Sequence, residues 1–561
     1  MVKQDRRPFS FLSPICFLGM LLFFFVSCND QHTRIGEKEI VDKPEDINVK
    51  AEDIIQGTLK DILQNNKDIN DSFKLKNAAI LQHLYDENSF QPLWSAKGLF
   101  RQWSDSLVTL IDSSRNYGLF PQDYYDTKIN DLKNELTRDT SKENKLDAAK
   151  WAYSDLLLTS AFVQIVKDIA KGRLLPDSIL AKDSSLTPAF FSSQFRQFKN
   201  SGIDTFVSQL EPQNTAYKNL KLGLKRFLDK ANFKDYTFIE VEDSLKLPSL
   251  IYKRLSEEDS VLKKDDPDSI GIAAAIKKYQ KRKGIKVDGK ISSTLISKLN
   301  NTDKEKFIRI AITLDKLKLL PPMPQQYIWV NIPSFYLQVR DSDTVVLTSR
   351  IVVGKPETKT PIITSAITDM ITYPKWHIPE SIIKKDILPG LKKDPGYTLR
   401  KGYTLFDNDG KEIDPYTITW AKFKTGIPYN VVQGSGDDNA LGVMKFNFPN
   451  KYSVYLHDTN QRYLFSKSSR ALSHGCVRVQ AWQELTNFIL RNDSAYSVKA
   501  TPVDSVSNWL ALKEKHVIAV RKKIPLFIRY FTCEGKDDKV LFYDDVYGED
   551  GRIREQIFSD K

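Results

Sequence analysis

The stretch Pro321-Pro-Met-Pro-Gln-Gln-Tyr-Ile-Trp-Val-Asn-Ile-Pro-Ser-Phe-Tyr-Leu-Gln-Val339 divides the chain into two kinds of periodicity. Proline lacks the amide N–H that a helix interior needs, so the cluster closes the helical pattern before it. From Tyr327 onward β-branched and aromatic residues dominate, and Thr344–Val353 repeats the pattern after the polar turn Arg340–Asp343, which predicts paired strands. Further strand candidates are Tyr452–Leu456, Ile524–Thr532 and Val540–Tyr543; the last two flank Glu534-Gly-Lys-Asp-Asp538, which predicts a hairpin between them. A mostly antiparallel β domain over about 322–550 follows. Within it, 376–424 is richer in Pro, Gly and Lys and reads as an insertion.

On the N-terminal side, 51–247 reads as a helical scaffold domain. Apolar residues recur at three-to-four spacing in Trp151–Ala170, and Gly172 with Pro176 supplies a C-terminal stop. The region holds one histidine (His83), no cysteine and no glycine-rich loop, so it has no apparent chemistry. A compact unit over 248–300 follows, with helix, Gly284 stop, Val287-Asp-Gly289 turn and second helix. It resembles the peptidoglycan-binding module of wall hydrolases, although Ile291-Ser-Ser-Thr294 keeps only the threonine of that module's usual continuation. The whole is thus a multidomain α+β chain.

Lys3, Arg6 and Arg7 precede an apolar run from Phe9 to Val26, with Ser27 before Cys28, the layout of an export signal over 1–28. Phe25-Val-Ser-Cys28 resembles a bacterial lipobox, with Phe25 where leucine is usual, and marks Cys28 for lipidation; a plain membrane anchor is the alternative. The polar residues 29–50 then read as a tether. Both readings put the body of the protein outside the inner membrane, in the cell envelope.

The chain has 561 residues, with 83 basic against 71 acidic side chains, too small a surplus to imply nucleic acid. Of four cysteines, Cys16 and Cys28 belong to the N-terminal segment, and Cys476 and Cys533 are too few for a disulfide framework.

The chemistry concentrates in Tyr455-Leu-His-Asp-Thr459 and Ser473-His-Gly-Cys-Val-Arg478. A cysteine is a useful nucleophile only as thiolate and needs a base or positive field beside it. His457, at the end of a predicted strand and open to substrate, can take the thiol proton. Gly475 permits a tight turn, so that N–H groups of 474–476 can face a developing oxyanion. Arg478 could bind a substrate carboxylate or lock the loop. A zinc site from His457, His474 and Cys476 lacks the second cysteine pair of structural zinc, and a buried inert cysteine is the bland alternative. Asp407-Asn-Asp-Gly-Lys-Glu412 reads as a turn rather than a calcium loop. No metal or cofactor is expected.

These motifs resemble the L,D-transpeptidases of bacterial cell walls, whose YkuD-type domain carries a histidine, then Ser/Thr-His-Gly-Cys and a following Arg or Asn. The larger variety of that family is also similar at Ile351-Val-Val-Gly-Lys-Pro356, Thr360-Pro361, Thr372-Tyr-Pro-Lys-Trp376, Gln433–Gly442 and Lys445-Phe-Asn-Phe-Pro449. Asn460 departs from its usual proline. The resemblance implies Cys476 as nucleophile, His457 as proton acceptor and His474 with Gly475 at the oxyanion site. It also implies Ser473, Arg478, Tyr455 and Trp376 at the substrate, and 376–424 as a lid. The implied reaction forms 3–3 cross-links between peptidoglycan stem peptides through a cysteine thioester, with acylation by carbapenems. Expected partners are stem peptides, glycan and, through Cys28, the membrane. A hydrolase using the same site and a non-catalytic wall-binding lipoprotein are the rival readings.

Overall fold

The computed structural model describes residues 38–65, 75–138, 142–174, 186–239, 245–259 and 268–561. The export-signal and Cys28 readings lie outside the described residues. Among the described residues, no helix is long and apolar enough to cross a membrane.

The N-terminal region is helical, apart from a short hairpin of β1 (Ser95–Ala96) and β2 (Leu99–Phe100), and it packs around the helix Ala148–Lys171. The Asp147 side chain caps that helix by accepting from the Ala149 and Lys150 amides, and Gly172, at φ +78°, ends it. Inside it, Asp155 accepts from the Leu93 and Trp94 amides and the Tyr85 hydroxyl, which ties three segments to one buried carboxylate. Burial pushes that carboxyl up to about 6. One expectation fails here. The described part of the supposed tether belongs to the fold: the Val41 amide bonds the Leu146 carbonyl, and a helix runs from Pro44 to Asn65. Val41 and Ile47 are apolar enough to bury in the helical core, and Pro44 starts the helix with Glu45 and Asp46 in its first turn.

Helices Leu247–Glu258, Ser269–Arg282 and Ser293–Asn300 form a small unit with its own core. The buried Gln280 amide holds its turn, accepting from the Asp288 and Gly289 amides and donating to Asp288. The helix Asp303–Lys318 leads into the β domain. Its buried Asp315 pairs with Lys318 and with Arg173 of the scaffold, and Lys318 also donates to the backbone carbonyl of Asp168.

The β domain contains β3 (Gln326–Asn331), β4 (Tyr336–Asp341), β5 (Thr344–Gly354), β6 (Ile363–Thr372), β11 (Met444–Asn447), β12 (Leu456–His457), β13 (Ala471–Ser473), β14 (Val477–Val479) and β15 (Val517–Arg529). Their order is β13-β5-β14-β12-β11-β6-β15-β3-β4, and β5 also pairs with β4, so the sheet closes on itself. Pairs β12–β14, β13–β5 and β15–β3 are parallel; the rest are antiparallel. An inserted sheet of β7 (Trp376–His377), β8 (Tyr403–Phe406), β9 (Glu412–Ile413) and β10 (Asn430–Gln433), with short helices and its own core around Trp420 and Leu391, extends past Lys424.

Two strand expectations are corrected. Tyr452–Leu456 is not a strand, because Ser453 has φ +55° and the Asn450 side chain bridges the turn to the Tyr452 and Val454 amides; only Leu456–His457 pair. The hairpin at the end of the chain runs from β16 (Cys533–Lys536) to β17 (Lys539–Phe542), with Asp537 and Asp538 both at positive φ, so it does not join β15 to β17. This hairpin lies on the scaffold helix Thr215–Leu228. A Cβ on Gly223 would stand 2.8 Å from the Lys539 carbonyl carbon, so the close approach requires glycine.

Candidate active site

Three neighbouring strands place one residue each on the same face. Lys445 of β11 is opposite His457 of β12, and His457 is the register partner of Arg478 on β14. The adjacent row, Phe446, Leu456 and Val477, points the other way and is fully buried in the core. Alternation therefore fixes Lys445, His457 and Arg478 beside the loop that carries Cys476.

That loop is tied from three sides. Gly475 has φ +122°, a region that L side chains rarely adopt. The Ser473 hydroxyl donates to the Cys476 carbonyl at 2.6 Å and accepts from the Gly475 amide at 3.0 Å. The Gly475 carbonyl accepts from Thr360 Oγ1 at 2.8 Å, and Thr360 Oγ1 accepts from the Gly354 amide. Tyr547 Oη accepts from the Thr360 amide and donates to the Gly354 carbonyl at 2.7 Å. Among the described residues, the His474 and Cys476 amides have no such partner and are left open to an incoming acceptor.

The Cys476 thiol donates toward the Ser453 carbonyl at 3.9 Å. Burial pushes its pKa up, against the pull of the Tyr455 amide and phenol and of Lys445 and Arg478. The phenol is itself hydrogen-bonded by the Trp376 side chain of β7, so the inserted sheet reaches the thiol through Tyr455. His457 is not open to substrate, as its expected place at a strand end implied. It is 4% exposed, and burial first, then Arg478, lowers its pKa to about 3. Its Nδ1 lies 2.5 Å from the Asp458 carbonyl, which can only accept, so Nδ1 carries a proton there; the Leu441 carbonyl is a second acceptor at the ring. The resting pair is neutral thiol and neutral imidazole. His474 is exposed and bonds Asp386 of the insertion at 2.8 Å.

Residues 325–504 match the L,D-transpeptidase catalytic domain (YkuD) family, and residues 79–224 match the Scaffold domain family. Residues 325–504 are therefore an L,D-transpeptidase catalytic domain, preceded by a scaffold domain. It is 35% identical over 254 residues to a Haemophilus influenzae protein provisionally named an L,D-transpeptidase; the match spans 45% of this chain and 50% of that protein.

The structure brings together some of the residues that the sequence motifs singled out, and not others. Cys476, His457, Tyr455, Trp376 and Arg478 come together under the insertion. Ser473, expected at the substrate, is 2% exposed and its hydroxyl is used inside the loop. Thr360 and Lys445 fall in stretches that resemble the family but take no role from the sequence, which does not single out Tyr547 at all. Lys445 stands between core residues Met444 and Phe446, so alternation would have found it. Tyr547 lies beyond the matched catalytic domain, and no local motif marks it.

Proposed function

We propose that this chain is a peptidoglycan L,D-transpeptidase of the cell envelope, held to a membrane through a lipidated Cys28. The observation that carries the catalytic reading is the β12–β14 pairing, which sets His457 beside the loop of the only half-exposed thiol among the described residues. In this reading Cys476 passes its proton to the imidazole of His457 as the sulfur attacks the L,D peptide carbonyl of a donor tetrapeptide stem. The oxyanion forms against the His474 and Cys476 amides. The C–N bond to D-Ala breaks, His457 returns the proton to the departing amine, and a thioester remains on Cys476. A side-chain amine of an acceptor stem then attacks the thioester and gives a 3–3 cross-link. Burial keeps the imidazole neutral and so able to accept a proton, at the expense of basicity, and the new thiolate charge beside it is what would stabilise the imidazolium.

Incubating the purified protein with tetrapeptide muropeptides and following products by mass spectrometry tests this reading. Cross-linked dimers with loss of D-Ala are expected. Tripeptides alone would replace it with a hydrolase, and unchanged substrate with a non-catalytic wall-binding protein.

A further inference from the structure

Lys445 is a half-buried cation for which no carboxylate partner is found within ion-pair distance among the described residues. Its Nζ sits 4.1 Å from the centre of the Tyr455 ring, a cation–π contact that holds the chain in place. Tyr455 in turn gives both its amide and its phenol to the Cys476 sulfur. The acid nearest in charge terms, Asp369 of β6, is occupied by Asn447 Nδ2 at 2.6 Å and Thr368 Oγ1 at 2.9 Å. A cation removed from water without a counter-ion is costly, so the position makes physical sense if an anion forms beside it. The anion that the site itself generates is the thiolate.

We propose that Lys445, seated on the Tyr455 ring, is the positioning residue that supplies the positive field for the Cys476 thiolate, a part usually given to a charged histidine. The other groups facing the thiol cannot do this alone. His457 is buried and uncharged, and Asp458 beneath it is paired with Arg462. His474 on the same loop is exposed and turned to Asp386 of the insertion. Arg478 is the second cation, with Cys476 also its foremost attractive charge; its Nη1 is held by Gln461 at 2.8 Å, its Nε is buried without a partner, and it acts on the thiol less strongly than Lys445 does. Lys445 is the stronger of the two cations at the thiol; burial depresses its own pKa, and Cys476 is the first group that opposes this.

The proposal deepens the transpeptidase reading, but its test does not depend on peptidoglycan. The rate of Cys476 alkylation by iodoacetamide is measured against pH for the wild type, Lys445→Met and Lys445→Arg, with circular dichroism confirming the fold; Lys445→Gln replaces the methionine variant if that one fails to fold. An opposite charge within a few ångströms shifts a pKa by about 1–3 units. The neutral variants should therefore titrate at least about one unit higher and react about tenfold more slowly at pH 8, and Lys445→Arg should stay near the wild type. Superimposable profiles would overturn the proposal and leave Lys445 a ligand for substrate carboxylate. An arginine variant as impaired as the methionine one would overturn it too, since charge would not be the cause. A shifted profile in a protein that never cross-links muropeptides would instead sink the transpeptidase reading and leave Lys445 its role.

Discussion

His457 and Arg478 are register partners on the parallel strands β12 and β14, and the guanidinium stands second only to burial in keeping the imidazole neutral. A histidine at a strand end is commonly pictured as a charged partner that poises the thiolate. Here the cross-strand arginine and the closed surroundings disfavour that charge at neutral pH, so in the proposed mechanism the ring enters the reaction as a base.

The consequence separates two readouts. Because a neutral ring gives no positive field, His457→Ala should leave the pH dependence of Cys476 alkylation close to the wild type. Turnover of donor stems should nevertheless fall by about 10²–10⁴, the usual cost of losing a general base. This differs from the expectation drawn from sequence, where the histidine poises the thiol. An upward shift of the alkylation profile in His457→Ala, matched to the loss in turnover, would restore it.

Stability should depend on pH through the same residue. The folded pKa of about 3 lies below the ordinary value near 6.5, so the unfolded chain takes up a proton that the folded chain refuses. The stability contribution is complete above pH 6.5 and is lost as pH falls toward 3, by an amount on the order of a few kcal/mol. Urea denaturation of the wild type and of His457→Gln at pH 7 and pH 4.5 checks this. The wild type should lose more stability on acidification than the variant.

Cysteine labelling offers a check on the nucleophile. A carbapenem should add its mass to the wild type and not to Cys476→Ala. Cys533 should stay unmodified in both, since it is 1% exposed and burial holds its thiol up at about 12. Peptide mapping that placed the adduct on Cys533 would contradict the assignment.

Tyr547 should matter without touching substrate. Its hydroxyl links Gly354 and Thr360, and Thr360 holds the Gly475 carbonyl. Tyr547→Phe leaves these buried partners unsatisfied at a cost of about 1–3 kcal/mol. If part of that is felt at the loop, kcat should fall about tenfold with KM little changed. A raised KM at constant kcat would instead place the residue in binding.

The local chemistry was legible because short-range patterns encode it. Glycine before Cys476 announced a tight turn, and the loop takes one. The proline cluster at 321–324 announced the change from helix to strand, and strand β3 begins at Gln326. The supposed strand Tyr452–Leu456 misled for an equally local reason: its β-rich composition hid the Asn450 turn and the positive φ of Ser453.

The sequence by itself determined the order of helical and β regions and the presence of a thiol and two histidines in a small compass. These follow from periodicity and from conformations that only glycine or proline can supply. Only the tertiary structure decided which groups govern the thiol. Strand register brings Lys445 opposite His457 and Arg478 beside it, and the end of the chain returns Tyr547 to the loop near Gly475. Burial and cross-strand partnership set the protonation states of Cys476 and His457. Both are properties of the closed sheet, and no local spacing contains them.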